Sequence, residues 1–382
     1  MAFNNKTVME QKQEFVSLAR NKGISFSQLC ERFGISRRTG YKWLERFKEH
    51  GQEGLREQSR RPHKSPLQTN SEVEQSILAI RADNPEWGAK KIFALLDKDK
   101  KNGVVIPARS TINAVLKRHG LIKKEKSEAA QKWQRFEHDS PNDLWQMDFK
   151  GHFPLLNKKR CHPLTILDDH SRFNLALFAC EDEQLVTVKR LLIQVFRNYG
   201  LPKKILTDNG SPWGTQGSLT AQGMPSVTRL EKWLYQQHIQ VTHGKPYHPQ
   251  TQGKEERFHR TLKAELLQYE NFKDYDHAQN RFNLWREKYN CERPHEAIEF
   301  EVPVQRYDIS IRQYQEHIPE PEYDTNVKIK KVHDGGKIIF MGRNFRVGKA
   351  FTGDHVAIKE TTNEREYEVY YYNQLLRKIS LL

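Results

Sequence analysis

The 382-residue chain has no run of about 18 apolar residues, so no ordinary membrane-spanning helix is expected. Its opening segment, MAFNNKTVMEQKQEF, lacks the apolar stretch of a secretory leader, and a cytoplasmic location is expected. Cysteine is scarce: Cys30, Cys161, Cys180 and Cys291 lie far apart and form no CxxC pair or Cys/His cluster. That spacing argues against structural zinc and suits isolated buried thiols in a reducing compartment. The phosphate-binding pattern GxxxxGK(S/T) is also missing, which argues against chemistry driven by a nucleoside triphosphate. Apolar residues make up only 36% against 29% charged, so several modest cores under a polar surface are expected.

Positive charge is what the chain has in excess. Lys and Arg number 63 against 48 Asp and Glu, a net charge of +15. Residues 1–130 hold 26 basic against 15 acidic side chains, and the remaining 252 residues hold 37 against 33. A basic arm on a near-neutral body suits a polyanionic partner, because neutralising phosphates releases counterions. The plain alternative is a solvated basic surface.

Helix grammar dominates the first third. Residues 9–50 read as three short helices: one with Phe15, Val16, Leu18 and Ala19 that ends near Gly23, then Ser25–Phe33, then Arg37–Glu49 capped by Ser36. With a Gly34–Ile35 turn between the last two, this is a helix-turn-helix pattern. Tyr41, Leu44 and Phe47 are expected to face inward, which leaves Arg37, Arg38, Lys42 and Arg46 for DNA. The domain expected at 1–50 is followed by a basic linker at 51–69, whose Arg60 and Arg61 can lie along a phosphate backbone. A second helix-turn-helix-like domain is expected at 70–122. Its stripe is Val73, Ile77 and Ile80, and Arg109, Lys117 and Arg118 sit around its last helix, Ser110–His119.

From residue 140 the pattern changes to strands and helices, expected as an α/β core over 140–271. Strands are read at Leu144–Phe149, Leu164–Asp168, Asn174–Cys180, Lys204–Leu206 and Ile239–Thr242, and helices at Leu185–Tyr199, Thr228–Gln237 and Gly253–Tyr269. The Gly- and Ser-rich segment 211–226 reads as a flexible loop. A helical extension is expected at 272–320, and several short strands at 321–382 suggest a small β-barrel. Lys328, Lys330, Lys331, Arg343 and Arg346 of that module are candidates for contact with DNA or a second protomer.

Three carboxylates stand where such a core places chemistry. Asp148 closes a strand in WQMDF, Asp208 ends another in ILTDNG with a sharp Asn-Gly turn behind it, and Glu256 lies in the first turn of a helix. Carboxylates brought together repel unless they share divalent cations, for which hard oxygen ligands are suited. Composition alone leaves many such triples open among 48 acids.

WQMDF, TDNGSPW and HPQTQGKEERFHRTLK together resemble the three signatures of the retroviral-integrase-like (DDE) catalytic core, which has a ribonuclease-H-like fold. LTILDDHSRF resembles that core's second strand, and YNCERPHEAI with VPVQRY resembles the segment that follows it in bacterial insertion-sequence transposases, as do the helix-turn-helix text and GLREQSRRPH. The resemblance implies a transposase with two Mg²⁺ ions (or Mn²⁺) held by Asp148, Asp208 and Glu256. It further implies cleavage and strand transfer at the terminal repeats of a mobile element, on double-stranded DNA, by a dimer or larger assembly near the bacterial nucleoid. The family's glutamate falls three residues after the QG glycine, which is Glu256 here; Glu255 is its rival. Glu256 sits opposite the stripe of Phe258, Leu262 and Leu266, whereas Glu255 flanks it and is expected to be solvated or ion-paired. Arg260 and Lys263 share the face of Glu256 and are expected to hold DNA phosphates.

The chain departs from the retroviral pattern in two ways: 47 residues separate Asp208 from Glu256, and helix-turn-helix units replace the retroviral zinc module. Asp168 and Asp169 are read as stabilising a strand end, His243 and His248 as candidates for positioning, Trp145 as core and Trp213 as part of an exposed loop. A catalytically silent DNA-binding regulator and a ribonuclease-H-type nuclease remain as alternatives.

Overall fold

The computed structural model describes residues 6–21, 23–57, 69–98, 105–122, 137–213, 227–244 and 253–381. The chain divides into two compact units, Met1–Gln68 and Thr69–Leu382.

The first unit holds α1 (Val8–Arg20), α2 (Phe26–Arg32) and α3 (Arg37–His50), closed by a tight helical turn at Gly51–Leu55. Each helix starts where its cap demands. Thr7 and Glu10 form a reciprocal capping box on α1, and the hydroxyls of Ser25 and Ser36 accept from the backbone N–H groups of Gln28 and Thr39. The helices meet at Phe15, which is fully buried and packs edge-on against Phe26, Phe33 and Trp43. Gly40 makes that approach possible, since a Cβ there would come within 2.9 Å of Cys30 Sγ, Phe15 Cζ and Phe26 Cζ. The inward set on α3 is therefore Gly40, Trp43, Leu44 and Phe47, and Tyr41, expected inside, is 53% exposed and leans on Phe26 at the rim. Two inward residues three apart, Gly40 and Trp43, turn the face away from Tyr41.

The second unit opens with α4 (Ser71–Asp83), α5 (Ala89–Lys98) and α6 (Arg109–Arg118), packed around Ile77, Trp87, Ile92, Ile112, Val115 and Leu116. A mixed sheet follows, built from β1 (Leu144–Phe149), β2 (Phe153–Pro154), β3 (Arg160–Asp168), β4 (Asn174–Cys180), β5 (Lys204–Thr207) and β6 (Gln240–His243). The path runs β2-β3-β1-β5-β6, with β4 on the other side of β3; β1 to β3 and β3 to β4 are antiparallel, and β1 to β5 and β5 to β6 parallel. Strand periodicity sorts the side chains into two layers. Trp145, Met147, Leu164, Ile166 and Ile205 face α7 (Leu185–Tyr199) and α8 (Arg229–Gln236). Cys161, Leu167 and Leu177 face α9 (Gly253–Leu262) and α10 (Tyr275–Cys291). The long helix expected over Gly253–Tyr269 gives way after Leu262 to a π turn, Lys263–Leu267. The helical extension expected at 272–320 contains one long helix, α10, and its Phe282, Trp285 and Tyr289 belong to the core's own second layer.

The last strands are β7 (Lys328–Lys331), β8 (Lys337–Phe340), β9 (Arg343–Arg346), β10 (His355–Glu360), β11 (Glu366–Tyr371) and β12 (Gln374–Ser380). They make a four-stranded sheet, β12-β11-β10-β7, and a separate β8-β9 ribbon, not the closed barrel expected. The turn through Gly335 and Gly336, both at positive φ, swings β8 out of line with β7 so that it pairs with β9. Side-chain packing rather than a backbone ladder joins the two sheets: Val332, Ile338, Phe340, Phe351, Val356, Val369 and Ile379 share one core, to which Tyr235 of α8 also belongs, and Arg377 of β12 donates to the Arg346 carbonyl of β9 at 2.8 Å.

Candidate active site

β1 and β5 are parallel neighbours with Leu144 opposite Lys204, Trp145 opposite Ile205 and Gln146 opposite Leu206. Continued two residues further, that register sets Asp148 beside Asp208 at the C-terminal ends of the strands. Alternation from the buried Met147 and Ile205 turns both carboxylates toward the α9 side. The pair feel each other. Burial first, and then the charge of Asp208, push the Asp148 carboxyl up to about 7.

Asp208 is fixed from behind. The N–H of Gly210 donates to Asp208 Oδ1 at 2.9 Å, and a Cβ on residue 210 would lie 3.0 Å from Asp208 Oδ2, so a side chain there would crowd the carboxylate. His243 Nδ1 lies 2.9 Å from the Asp208 carbonyl, and its Nε2 lies 2.9 Å from Glu231 Oε1. The hydrogen bond to Glu231 raises the His243 pKa. His243 thus holds the strand end, and His248 lies outside the described residues.

Asp168 and Asp169 are fully buried and engaged as the strand-end reading expects. Asp168 accepts from Ser171 N and Oγ and from Asn142 N. Asp169 accepts from Gln146 Nε2 on β1 and pairs with Lys254 in the first turn of α9, tying that helix to the sheet. Burial works to raise the Asp169 pKa, but Lys254 and His138 outweigh it and hold it low.

The two glutamates of α9 are treated oppositely. Glu256 is exposed on the first turn. Glu255, expected to be solvated or ion-paired, is 1% exposed and lies under β1. At about 100° per residue Glu255 falls within about 20° of Leu262 and Leu266, inside the apolar stripe rather than beside it, and so it faces inward. Thr165, the cross-strand partner of Asp148, places its hydroxyl 2.9 Å from the Asp148 carbonyl, 3.1 Å from Glu255 Oε2 and 2.8 Å from His259 Nε2. That hydroxyl donates toward the Asp148 carbonyl and Glu255 Oε2 and also meets the His259 ring nitrogen, so it links the three groups. Burial, and then Asp148, raise the Glu255 pKa well above the usual carboxylate range, and burial lowers His259 to about 3. His259 Nδ1 is left facing Asp148 Oδ2 at 3.9 Å. At about 100° per residue, Glu255 and Glu256 flank His259 by roughly 40° and 60°, so Glu256 stands at the open edge of the same corner. Among the described residues no three His, Cys, Asp or Glu side chains are gathered closely enough to cage a metal ion.

Reasoning from the sequence missed Thr165 and His259. His259 could have been found at helical spacing from both glutamates; Thr165 needed the strand register. Trp145 is core, as expected, but Trp213, expected in an exposed loop, is 2% exposed and stacks on Phe149, which anchors the start of that segment beside β1.

The basic candidates divide. Arg37, Arg38 and Lys42 are exposed on α3, Arg46 is half-buried, and Arg60 and Arg61 lie outside the described residues. Lys117, Arg260 and Lys263 are exposed. Arg118 is paired with Glu74 at 2.6 Å, and Arg109 lies over the rings of Phe93 and Phe300, so neither is free as expected. In the last domain Lys328, Lys330, Lys331 and Arg343 are exposed, with Lys328 over the Phe340 ring. Among the described residues no helix is long and apolar enough to cross a membrane.

Comparisons with known proteins match these parts. The integrase core domain family matches residues 138–249, and a second integrase core domain family matches 237–303. A helix-turn-helix domain matches 11–63, a homeodomain-like domain 39–116, and the IS481 family transposase C-terminal domain 327–381. Among relatives, the insertion element IS407 uncharacterized 31.7 kDa protein of Burkholderia multivorans is 26% identical over 164 residues, 43% of this chain and 54% of that protein. The insertion element IS476 uncharacterized 39.2 kDa protein of Xanthomonas euvesicatoria is 28% identical over 165 residues, 43% of this chain and 44% of that protein. The Gag-Pro-Pol polyprotein of Mason-Pfizer monkey virus is 33% identical over 128 residues, 33% of this chain and 6% of the polyprotein. The chain spans about half the length of the two insertion-element relatives.

Proposed function

We propose that this chain, an insertion-sequence transposase with an integrase-like core by its joined domains, binds the terminal inverted repeats of its element and cuts and joins DNA there. The observation that carries this reading is the pair of carboxylates, Asp148 and Asp208, set side by side at the ends of β1 and β5. Exposed Glu256, on the first turn of α9, is the third member. The donor set fits a hard divalent cation: all oxygen, open to solvent on one side, and with the Asp148–Asp208 repulsion that a cation would relieve. Two Mg²⁺ ions, or Mn²⁺, when bound supply activation of the attacking oxygen and stabilisation of the leaving one.

The protein's own groups do the positioning. Gly210 and His243 hold Asp208 against its strand end. Exposed Arg260 and Lys263 follow Glu256 along the helix and face incoming phosphates. α3 presents Arg37, Arg38 and Lys42 to the major groove of the repeat. Water attacks the phosphodiester at the element end and the 3′-hydroxyl departs; that hydroxyl then attacks a target phosphodiester, displacing a second 3′-oxygen, so the number of ester bonds is conserved in the joining step. Because two ends must be joined together, the working form is a dimer or larger assembly on DNA.

The test is joining of labelled repeat DNA to target by wild type, Asp148→Asn, Asp208→Asn and Glu256→Gln. The expected result is joining by wild type alone, with repeat binding retained by all four. Wild type that binds repeats and never cuts with Mg²⁺ or Mn²⁺ overturns the reading in favour of a DNA-binding regulator. Cutting confined to RNA–DNA hybrids overturns it in favour of a nuclease.

A further inference from the structure

A buried polar group without a partner costs stability, and an interior carboxyl is tolerated in few places. Glu255 is an interior carboxyl with one oxygen partnered and one not. It is 1% exposed, its Oε2 meets the fully buried hydroxyl of Thr165 at 3.1 Å, and its Oε1 is buried with no hydrogen-bond partner. An apolar side chain in this place would pack α9 to the sheet with Phe258 and Leu262 and leave nothing unsatisfied. What the polar trio reaches is the outer strand end: Thr165 bonds the Asp148 carbonyl at 2.9 Å, and His259, bonded to Thr165 at 2.8 Å, stands 3.9 Å from the Asp148 carboxylate.

We infer that Glu255, through Thr165 and His259, is a positioning residue that sets the height and orientation of the Asp148 carboxylate from beneath, while Glu256 serves the open side. The inference rests on the proposed reading of Asp148 as a cation-binding carboxylate. Removing a group that orients a metal-binding ligand typically costs about 10- to 100-fold in metal affinity or activity. Removing a group that only seals helix to sheet does not, and the two roles predict opposite outcomes for an apolar replacement of similar length.

The experiment uses the full chain with Glu255→Met, Thr165→Val and Thr165→Ser, each measured for thermal stability, Mn²⁺ binding by calorimetry without DNA, repeat binding, and joining. Glu255→Met is expected to keep or raise the melting temperature, since it removes an unsatisfied buried polar atom. It should nevertheless weaken Mn²⁺ binding and slow joining by about 10-fold each, with repeat binding as in wild type. Thr165→Val should do the same and Thr165→Ser should restore most of the loss, because serine keeps the hydroxyl. Stable Glu255→Met and Thr165→Val proteins that both bind Mn²⁺ within about twofold of wild type overturn the inference, since orientation should cost about 10-fold. Asp148→Asn and Asp208→Asn proteins that bind Mn²⁺ like wild type overturn the proposed active site itself, whatever the Glu255 variants do.

Discussion

Two helical units in this chain share one order of elements, short helix, turn and basic helix, yet they use their basic side chains in opposite ways. On α3, Arg37, Arg38 and Lys42 are exposed and make no ion pair with a described residue. Around α6, Arg118 and His119 both close on Glu74 of α4, at 2.6 and 2.8 Å, and Arg109 is laid over Phe93 and Phe300. The α4–α6 unit is also bound to the integrase-like core. Lys90 pairs with Glu296, Lys91 lies 3.8 Å from Glu265 in the π turn, and Lys288 stands over the Trp87 ring. Burial, and then Arg293, lower Lys91 to about 8, as befits a lysine held inside a joint. Equal charge in a sequence does not mean equal availability: α3 offers its cations outward, whereas those around α6 largely hold a domain in place.

The largest test of that contrast is steric. Gly40→Val on α3 drives a branched side chain into Phe15, Phe26 and Cys30, where even a Cβ falls at 2.9 Å. The expected cost is about 3 kcal/mol, taken within Met1–Gln68. Ala114→Val on the exposed side of α6 costs less than about 1 kcal/mol, the propensity difference alone. Hydrogen exchange reads both: protection should collapse across α1–α3 in the first variant and persist across α4–α6. Loss of α4–α6 protection in Gly40→Val would mean that the two units fold together.

The same contrast explains what could be read from the sequence. β1, β4 and α7 were legible to the residue because alternation and 3.6-residue periodicity are local signals, and the turn behind Asp208 was legible because Asn-Gly admits few shapes. Long-range partners were not. Nothing near Arg109 announces Phe300, nothing near Asp148 announces Thr165, and nothing in the last strands announces that two sheets would share a core without closing into a barrel. The inward position of Glu255 was within reach of local periodicity, since it falls within about 20° of Leu262 and Leu266 on the helix, whereas the tie of Lys254 to Asp169 spans 85 residues. Tyr41 was misplaced for a nearer reason, since a glycine at 40 reads as no face at all until its packing is seen.

A smaller effect sharpens the comparison through DNA. If α3 reads the repeat as proposed, Lys42→Ala and Arg38→Ala should each weaken repeat binding about 5- to 10-fold, and each lost phosphate contact should reduce the salt slope by about one. Arg118→Ala should leave binding within about twofold, because its guanidinium already serves Glu74. Fluorescence anisotropy at several salt concentrations measures both. An Arg118→Ala loss as large as that of Lys42→Ala would show that the Glu74 pair opens on DNA and that the two units work alike.

The smallest expected effect is a response to acid. Glu74 is held below the usual carboxylate range, chiefly by its hydrogen bond with His119 and also by Arg118. A carboxyl whose folded pKa is lowered contributes stability that is full above its ordinary value, near 4.5, and lost as pH falls through the lower folded value. Moving from pH 6 to below 4 should therefore loosen the α4–α6 contact by less than about 1 kcal/mol, the scale of a partly exposed pair. Glu10 of the first unit is also held low, chiefly by the backbone N–H of Thr7, but it caps one helix and joins none. Acid should thus fray the start of α1 while leaving the Phe15 core closed, and in the second unit it should free α6 from α4. Glu74→Gln removes the pH response of α4–α6 alone, and amide exchange at pH 5.5 and 3.5 distinguishes the cases. A response that survives Glu74→Gln would assign the acid sensitivity to another group and leave Arg118 as free for DNA as its counterparts on α3.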